Sequence, residues 1–160
     1  MVIKGSTKIV AILGHPVEHS LSPVMHNAAF SAMGIDYCYI AFAVHPRELR
    51  IAVEGIRALG IAGLNITVPH KEAVMPFLDK ISPEASFIGA INTVVNENGK
   101  LVGHNTDGRG FMRSLEEEGV QVKDKVVHVI GTGGASRAIA YYLAPEAAEL
   151  RLWGRTPERV

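Results

Sequence analysis

An α/β protein is predicted, with a mainly parallel sheet and helices on both faces. Three observations predict it. Short apolar runs alternate with amphipathic stretches of roughly 10 to 15 residues, the pattern of βαβ units. Glycine or proline punctuates most of the changes from one kind of stretch to the other. A single Asn-Gly step, flanked by strand-like residues, supplies one tight hairpin in an otherwise crossover-connected chain.

The elements follow in order. KIVAILG (8–14) is an apolar run closed by glycine and reads as a buried strand. Ser22-Pro23 reads as a helix N-cap with proline at the first helical position, and Gly34 as the residue that ends that helix. YCYIAFAV (37–44) is a second strand, rich in aromatic and branched residues. Pro46 opens a helix with Leu49, Val53, Ile56 and Leu59 on one face, closed by Gly60. GLNITV (63–68) is a third strand, and Pro69 opens a helix to about Leu78. INTVVNENGKLVG (91–103) is a hairpin turning at Asn98-Gly99. A helix runs from Asp107 to Gly119, then KVVHVIG (125–131) is a strand, ASRAIAYYLA (135–144) a helix and AELRLWG (148–154) a strand. Residues 1–106 are expected to form one α/β domain, and 107–160 a linker helix with an incomplete second domain. One βαβ unit leaves a sheet edge unpaired and one face bare, so the chain reads as a fragment. Such an open edge is expected to pair, a homodimer being one way.

Composition narrows the function. The chain has 160 residues, 48% of them apolar, and its 16 basic and 16 acidic side chains balance to zero. Neither nucleic acid nor an anionic membrane is indicated as a partner. No apolar run is long enough to span a bilayer, and MVIKGSTKIV lacks the shape of a signal peptide. With Cys38 as the single cysteine, no internal disulfide forms, and a cytoplasmic location is expected. His15 and His19 are spaced four apart, but Pro16 argues against a helix there and no metal site is expected.

One glycine-rich motif is VIGTGGASRA (129–138), with Gly131, Thr132, Gly133, Gly134 and Ala135 between an apolar strand and a helix. The first glycine permits the tight turn, and the second lets backbone approach a pyrophosphate at the helix N-terminus. Ser136 occupies the usual third glycine position, so a plain strand-to-helix turn is the competing reading. Dinucleotide binding, by the first βαβ unit of a Rossmann-like domain, is the reading the context favours. The next strand ends WGRTPER, with Arg155 where an NAD-binding unit would carry an acid. Arg155 and Arg159 can pair with a 2′-phosphate and Thr156 can donate to it, which favours NADP over two solvated arginines.

Polar residues also gather where strands end or helices begin, the usual place for a ligand in an α/β protein. They are Ser20 and Ser22, then Asn65, Thr67 and Lys71, then Asn92 and Thr93, then Asn105 and Asp107. Hydroxyls and amides suit a polyhydroxylated ring, and two serines beside a helix start suit a carboxylate. Lys71 and Asp107 offer a donor and an acceptor for proton transfer. Each has a structural alternative: Ser22 as a cap, Asn105 and Asp107 as a turn and a cap, Lys71 as a surface lysine.

Together these motifs resemble the shikimate dehydrogenase family. GHPVEHSLSPVMHN (14–27), GLNITVPHK (63–71), GAINTV (89–94), GHNTDGRG (103–110) and GTGGASRA (131–138) carry the match in the family's order, over essentially the whole chain. The resemblance implies an NADP-dependent oxidoreductase that reduces 3-dehydroshikimate to shikimate in aromatic amino acid and chorismate biosynthesis. It implies that Ser20 and Ser22 hold the shikimate carboxylate. Thr67, Asn92 and Asp107 would bind ring hydroxyls with Asn65 close by, and Lys71 would be the acid/base paired with Asp107. Gly154 stands where relatives carry asparagine before Arg-Thr, which weakens one adenosine contact. Family chains run longer, adding a late glutamine and a returning C-terminal helix, so little activity is expected of this chain alone. A quinate/shikimate dehydrogenase and a non-catalytic shikimate-binding module are the alternatives.

Overall fold

The computed structural model describes residues 2–155. These form two compact units, one running up to Ser82 and including Ile91–His104, the other comprising Pro83–Ala90 and the chain from Asn105 onward.

The first unit is built on a six-stranded sheet. Its strands are β1 (Lys8–Gly14), β2 (Tyr37–Ala43), β3 (Gly63–Ile66), β4 (Lys80–Ile81), β5 (Thr93–Glu97) and β6 (Lys100–His104), in spatial order 2-1-3-5-6-4. β1 pairs in parallel with β2 and β3, and β4 with β6; β5 alone runs against its neighbours. The sheet is therefore mostly parallel. Reversing β5 sets its first residue, Thr93, opposite Asn65 near the end of β3, and Ile66 N–H donates to the Asn92 carbonyl at 2.8 Å. Strand exits of β1 and β3 and the strand entry of β5 thus share one rim. The hairpin turn has Asn98 and Gly99 at φ 54° and 89°, both in the left-handed region that an Asn-Gly turn requires.

One face of the central strands is buried, with Ala11, Leu13, Leu64, Ile66 and Val94 in register across it. α2 (Leu49–Ala58) buries Leu49, Val53 and Ile56. Leu59, expected on that face, is 76% exposed, because it follows the last helical turn and Gly60 at φ 63° takes the chain away. The helix expected from Pro69 to Leu78 is two short pieces, α3 (His70–Ala73) and a 3-10 turn at Met75–Phe77. Pro76 has no N–H to donate and so interrupts it.

In the second unit, α4 (Pro83–Ile88) precedes α5 (Asp107–Glu117), β7 (Val126–Ile130), α6 (Gly134–Leu143) and β8 (Glu149–Trp153). β7 and β8 pair in parallel, so β7-α6-β8 is one βαβ unit. Ile88, Ala90 and Ala138 form its small core. α5 lies against α6 so closely that a Cβ on Gly108 would fall 2.2 Å from the Ala138 carbonyl oxygen. Among the described residues, no helix is long and apolar enough to cross a membrane.

Candidate active site

In the first unit a cleft of about 440 Å³ opens where β1 and β3 end. Ser20, Ser22 and Thr67 line it together, beside His15 and His19. The loop that carries them is ordered locally: Val17 N–H donates to Glu18 at 3.0 Å. Hydrogen bonds from its own backbone N–H and from Val17 hold the Glu18 carboxyl below the usual carboxylate range. The two serines act in sequence. Ser20 Oγ accepts from Ser22 N–H at 3.3 Å, at the start of α1 (Ser22–Met33).

This corrects the capping assignment. Leu21 is the N-cap of α1, Ser22 the first helical residue and Pro23 the second, with no side-chain cap bond. The hydroxyl that meets a helix-start N–H belongs to Ser20. Ser22 is thereby released from capping.

Gly14 sets how closely β1 passes Thr67, which lines the cleft. A Cβ there would lie 2.4 Å from the Thr67 methyl and 3.3 Å from the Val68 carbonyl oxygen. Only a residue without a side chain lets the end of β1 pass this close to Thr67.

Asn65 lines a second cavity of about 330 Å³, with Tyr39 and Thr93. Its Oδ1 accepts from the Tyr39 hydroxyl at 2.7 Å, and its Nδ2 lies 3.4 Å from both the Asn92 carbonyl and Thr93 Oγ1. Asn92 Oδ1 accepts from Thr93 Oγ1 at 2.9 Å. Lys71 is half-buried on α3, and its carbonyl accepts from Ile91 N–H at 2.7 Å. The neighbouring His70 is fully buried and donates from Nε2 to the Val44 carbonyl at 2.7 Å, which anchors the short helix under Lys71.

In the second unit, Asp107 is the first residue of α5, with Thr106 as its N-cap, so its carboxylate sits in the turn where negative charge is favoured. Asn105, only 5% exposed, donates to the Ala90 carbonyl at 2.9 Å and accepts from Asp107 N–H at 3.0 Å. The turn read for Asn105 is this side-chain bridge.

The glycine motif forms the expected strand–turn–helix. Gly131 has φ 122°, its N–H donates to the Trp153 carbonyl at 2.7 Å, and Gly133 is the extended N-cap of α6, which begins at Gly134. Ser136 Oγ lies 2.9 Å from where a Cβ on Gly131 would sit, so the residue in the third glycine position packs on the turn. A Cβ on Gly133 would meet nothing within 4 Å, which leaves open space beside the first helical residues. Thr132 is half-buried and Ala135 exposed on that first turn. Arg155 is exposed after β8, while Thr156 and Arg159 lie outside the described residues.

Several residues escaped the sequence reading. Tyr39 is 3% exposed and its ring stacks on His26, with centroids 4.3 Å apart and planes 5° apart. Asn27 clamps the Tyr39 backbone, donating to its carbonyl at 2.9 Å and accepting from its N–H at 2.8 Å. Burial pushes the Tyr39 phenol up to about 12, opposed by a hydrogen bond with the Ser22 side chain. Arg137 of α6 donates from Nη2 to the Gly89 carbonyl at 3.0 Å. The HN pair that ends HSLSPVMHN was the available signal for the first of these. Among the described residues, no three His, Cys, Asp or Glu side chains are grouped to hold a metal.

Comparison with known proteins follows the same lines. The chain is 55% identical over 158 residues to the shikimate dehydrogenase (NADP(+)) of Moorella thermoacetica, covering 98% of this chain and 54% of the relative. A crystal structure of a shikimate dehydrogenase in complex with NADP+ superposes with a TM-score of 0.94 at 48% identity, covering 99% of this chain and 55% of that one. Shikimate 5-dehydrogenase from Thermus thermophilus, solved with NADP(H) and shikimate, gives 0.89 at 42% identity, covering 96% and 58%. The chain thus spans about half the length of the curated relatives it matches. The family model for the shikimate dehydrogenase substrate binding domain matches residues 12–94, over half of the chain, with β2, β3 and β4 whole and parts of β1 and β5. By that match, the chain belongs to the shikimate dehydrogenase family.

Proposed function

We propose that this chain supplies the shikimate-binding half, and the start of the NADP-binding half, of an enzyme reducing 3-dehydroshikimate to shikimate. The observation that carries the reading is the cleft in which Ser20, Ser22 and Thr67 come together from distant parts of the chain. Ser20 and Ser22 donate to the ligand's carboxylate, Ser22 being free of capping duty. Thr67, Asn92 and Asp107 take the ring hydroxyls, with Asn65 beside them. Lys71 gives a proton to the oxygen formed at the reduced carbon, and Asp107 orients the same oxygen.

Fit to a dinucleotide rests on the glycine turn. The open space at Gly133 and the free start of α6 accept a pyrophosphate, with Gly131, Thr132, Gly134 and Ala135 around it. Arg155, Thr156 and Arg159 answer a 2′-phosphate, making the cofactor NADP. That cofactor, when bound, supplies the hydride. The residues of this chain hold the ring, fix the reacting carbonyl and move one proton. The balanced charge and single buried Cys38 support a cytoplasmic enzyme with a small-molecule substrate.

Calorimetric titration of the purified chain with shikimate tests the cleft. Saturable binding that Ser22→Ala weakens about tenfold is expected, a loss of one charge-assisted hydrogen bond. No heat of binding at millimolar shikimate would refute the reading. Because the chain spans about half of its relatives, a second reading is a shikimate-binding module without turnover. Spectrophotometry with NADPH and 3-dehydroshikimate separates the two, and negligible turnover is expected of these 160 residues alone.

A further inference from the structure

Tyr39 lies on β2, in neither of the motifs that supply the cleft's polar groups, yet its hydroxyl reaches Asn65, one of the candidate ligand residues. The bond to Asn65 Oδ1 is short, 2.7 Å, whereas the two contacts of Asn65 Nδ2 are both 3.4 Å. An amide whose oxygen accepts a short bond and whose nitrogen is weakly held is oriented with its N–H groups available to an incoming ligand. Tyr39 is itself rigidly mounted, with its ring against His26, both backbone polar groups taken by Asn27, and Ile12 and Val17 packed around it.

We propose that Tyr39 is a positioning residue: its hydroxyl fixes which end of the Asn65 carboxamide faces the ligand. His26 and Asn27, five residues or fewer beyond Ser22 on the same helix, are its mounting. The run HSLSPVMHN therefore carries a ligand group at one end and the support for a second such group at the other. This rests on the shikimate reading of the cleft.

The test uses Tyr39→Phe, which keeps the ring and its stacking and removes one oxygen. Without the phenol, Asn65 can turn over and one buried acceptor loses its donor, so the Kd for shikimate should rise about fivefold to tenfold. A positioning role makes that rise depend on its target. In an Asn65→Ala background, adding Tyr39→Phe should change Kd by less than about twofold. Effects that simply multiply would overturn the proposal. A measurement on the unaltered chain guards against a variant that folds poorly. With ring-labelled tyrosine, the 13Cζ resonance of Tyr39 should move when shikimate is added. Shikimate binding with no such movement, or with Tyr39→Phe at the unaltered Kd, sinks this proposal alone. No shikimate binding by the unaltered chain sinks the reading of the cleft, and this proposal with it.

Discussion

Replacing Gly14 by alanine puts one methyl group against Thr67, which lines the cleft. Gly14 does not lie in the left-handed region, so the backbone accepts alanine, and the effect is one of space. The new Cβ would sit 2.4 Å from the Thr67 methyl, 3.3 Å from the Val68 carbonyl oxygen and 3.4 Å from Val17 Cβ. The last two contacts ask for shifts of a few tenths of an ångström, but the first must be relieved outright. Thr67 can relieve it by turning about χ1, which swings its hydroxyl out of place, or β1 and β3 can part. Overpacking of this kind costs about 1–3 kcal/mol, offset by about 0.4–1 kcal/mol from the stiffer unfolded chain. A net loss of about 1–2 kcal/mol lowers Tm by roughly 2–4 °C per kcal/mol in a chain of this size. Shikimate affinity, read by calorimetry, should fall about tenfold because the hydroxyl moves with the methyl. Thr67→Ser removes the methyl and keeps the hydroxyl. The pair Gly14→Ala with Thr67→Ser should therefore regain most of the lost affinity. A double variant no better than Gly14→Ala alone would refute the steric account.

Further expectations concern both units. Asn105→Ala leaves the Ala90 carbonyl and Asp107 N–H without their side-chain partner, and should cost about 1–3 kcal/mol in urea unfolding. Gly108→Ala drives a Cβ into the Ala138 backbone, so hydrogen exchange in α5 and α6 should accelerate by at least tenfold while that of β1 and β3 is unchanged. Asp79 is held below the usual carboxylate range first by its hydrogen bond from Arg57 and then by that from Leu101 N–H. Its folded value is depressed, so the stability it contributes is present above about pH 4 and lost as pH falls through the folded value. Asp79→Asn should flatten that acid limb of the urea midpoint, and an unchanged limb would remove Asp79 from the account. In a chimera completed with the remaining half of the Moorella thermoacetica relative, Lys71→Ala should lower kcat at least a hundredfold and move KM by less than about threefold.

Much of the fold was legible because its punctuation is local. β1 was placed to the residue by an apolar run ending in Gly14, and the hairpin by Asn98-Gly99. The region from Lys80 to Ile88 was not. β4 is two residues long and exists through distant partners, with Asp79 N–H donating to the Leu101 carbonyl and Ser82 N–H to that of Gly103. The site divides in the same way. Ser20, Ser22 and Thr67 were nameable because hydroxyls at strand ends are an unusual local pattern. Tyr39 was invisible as a site residue, since an aromatic in a strand is ordinary and its partners Asn27 and Asn65 lie 12 and 26 positions away. The capping role given to Ser22 failed because the helix already includes Ser22: Leu21 is the N-cap, and no side chain caps α1.

Because β5 runs backwards, the hairpin tip at Asn98-Gly99 stands at the far end of the sheet from Asn65 and Thr93. Gly99 N–H donates to Asn96 at 2.7 Å and its carbonyl accepts from Arg57 at 2.6 Å, so the tip keeps its shape without help from the ligand rim. A dye can be fixed there without disturbing the chemistry. Glu97→Cys gives an accessible thiol, and the native Cys38, 5% exposed, is shielded from maleimide. The reversed strand thus offers a remote handle from which fluorescence can follow the sheet's integrity while the opposite rim is titrated.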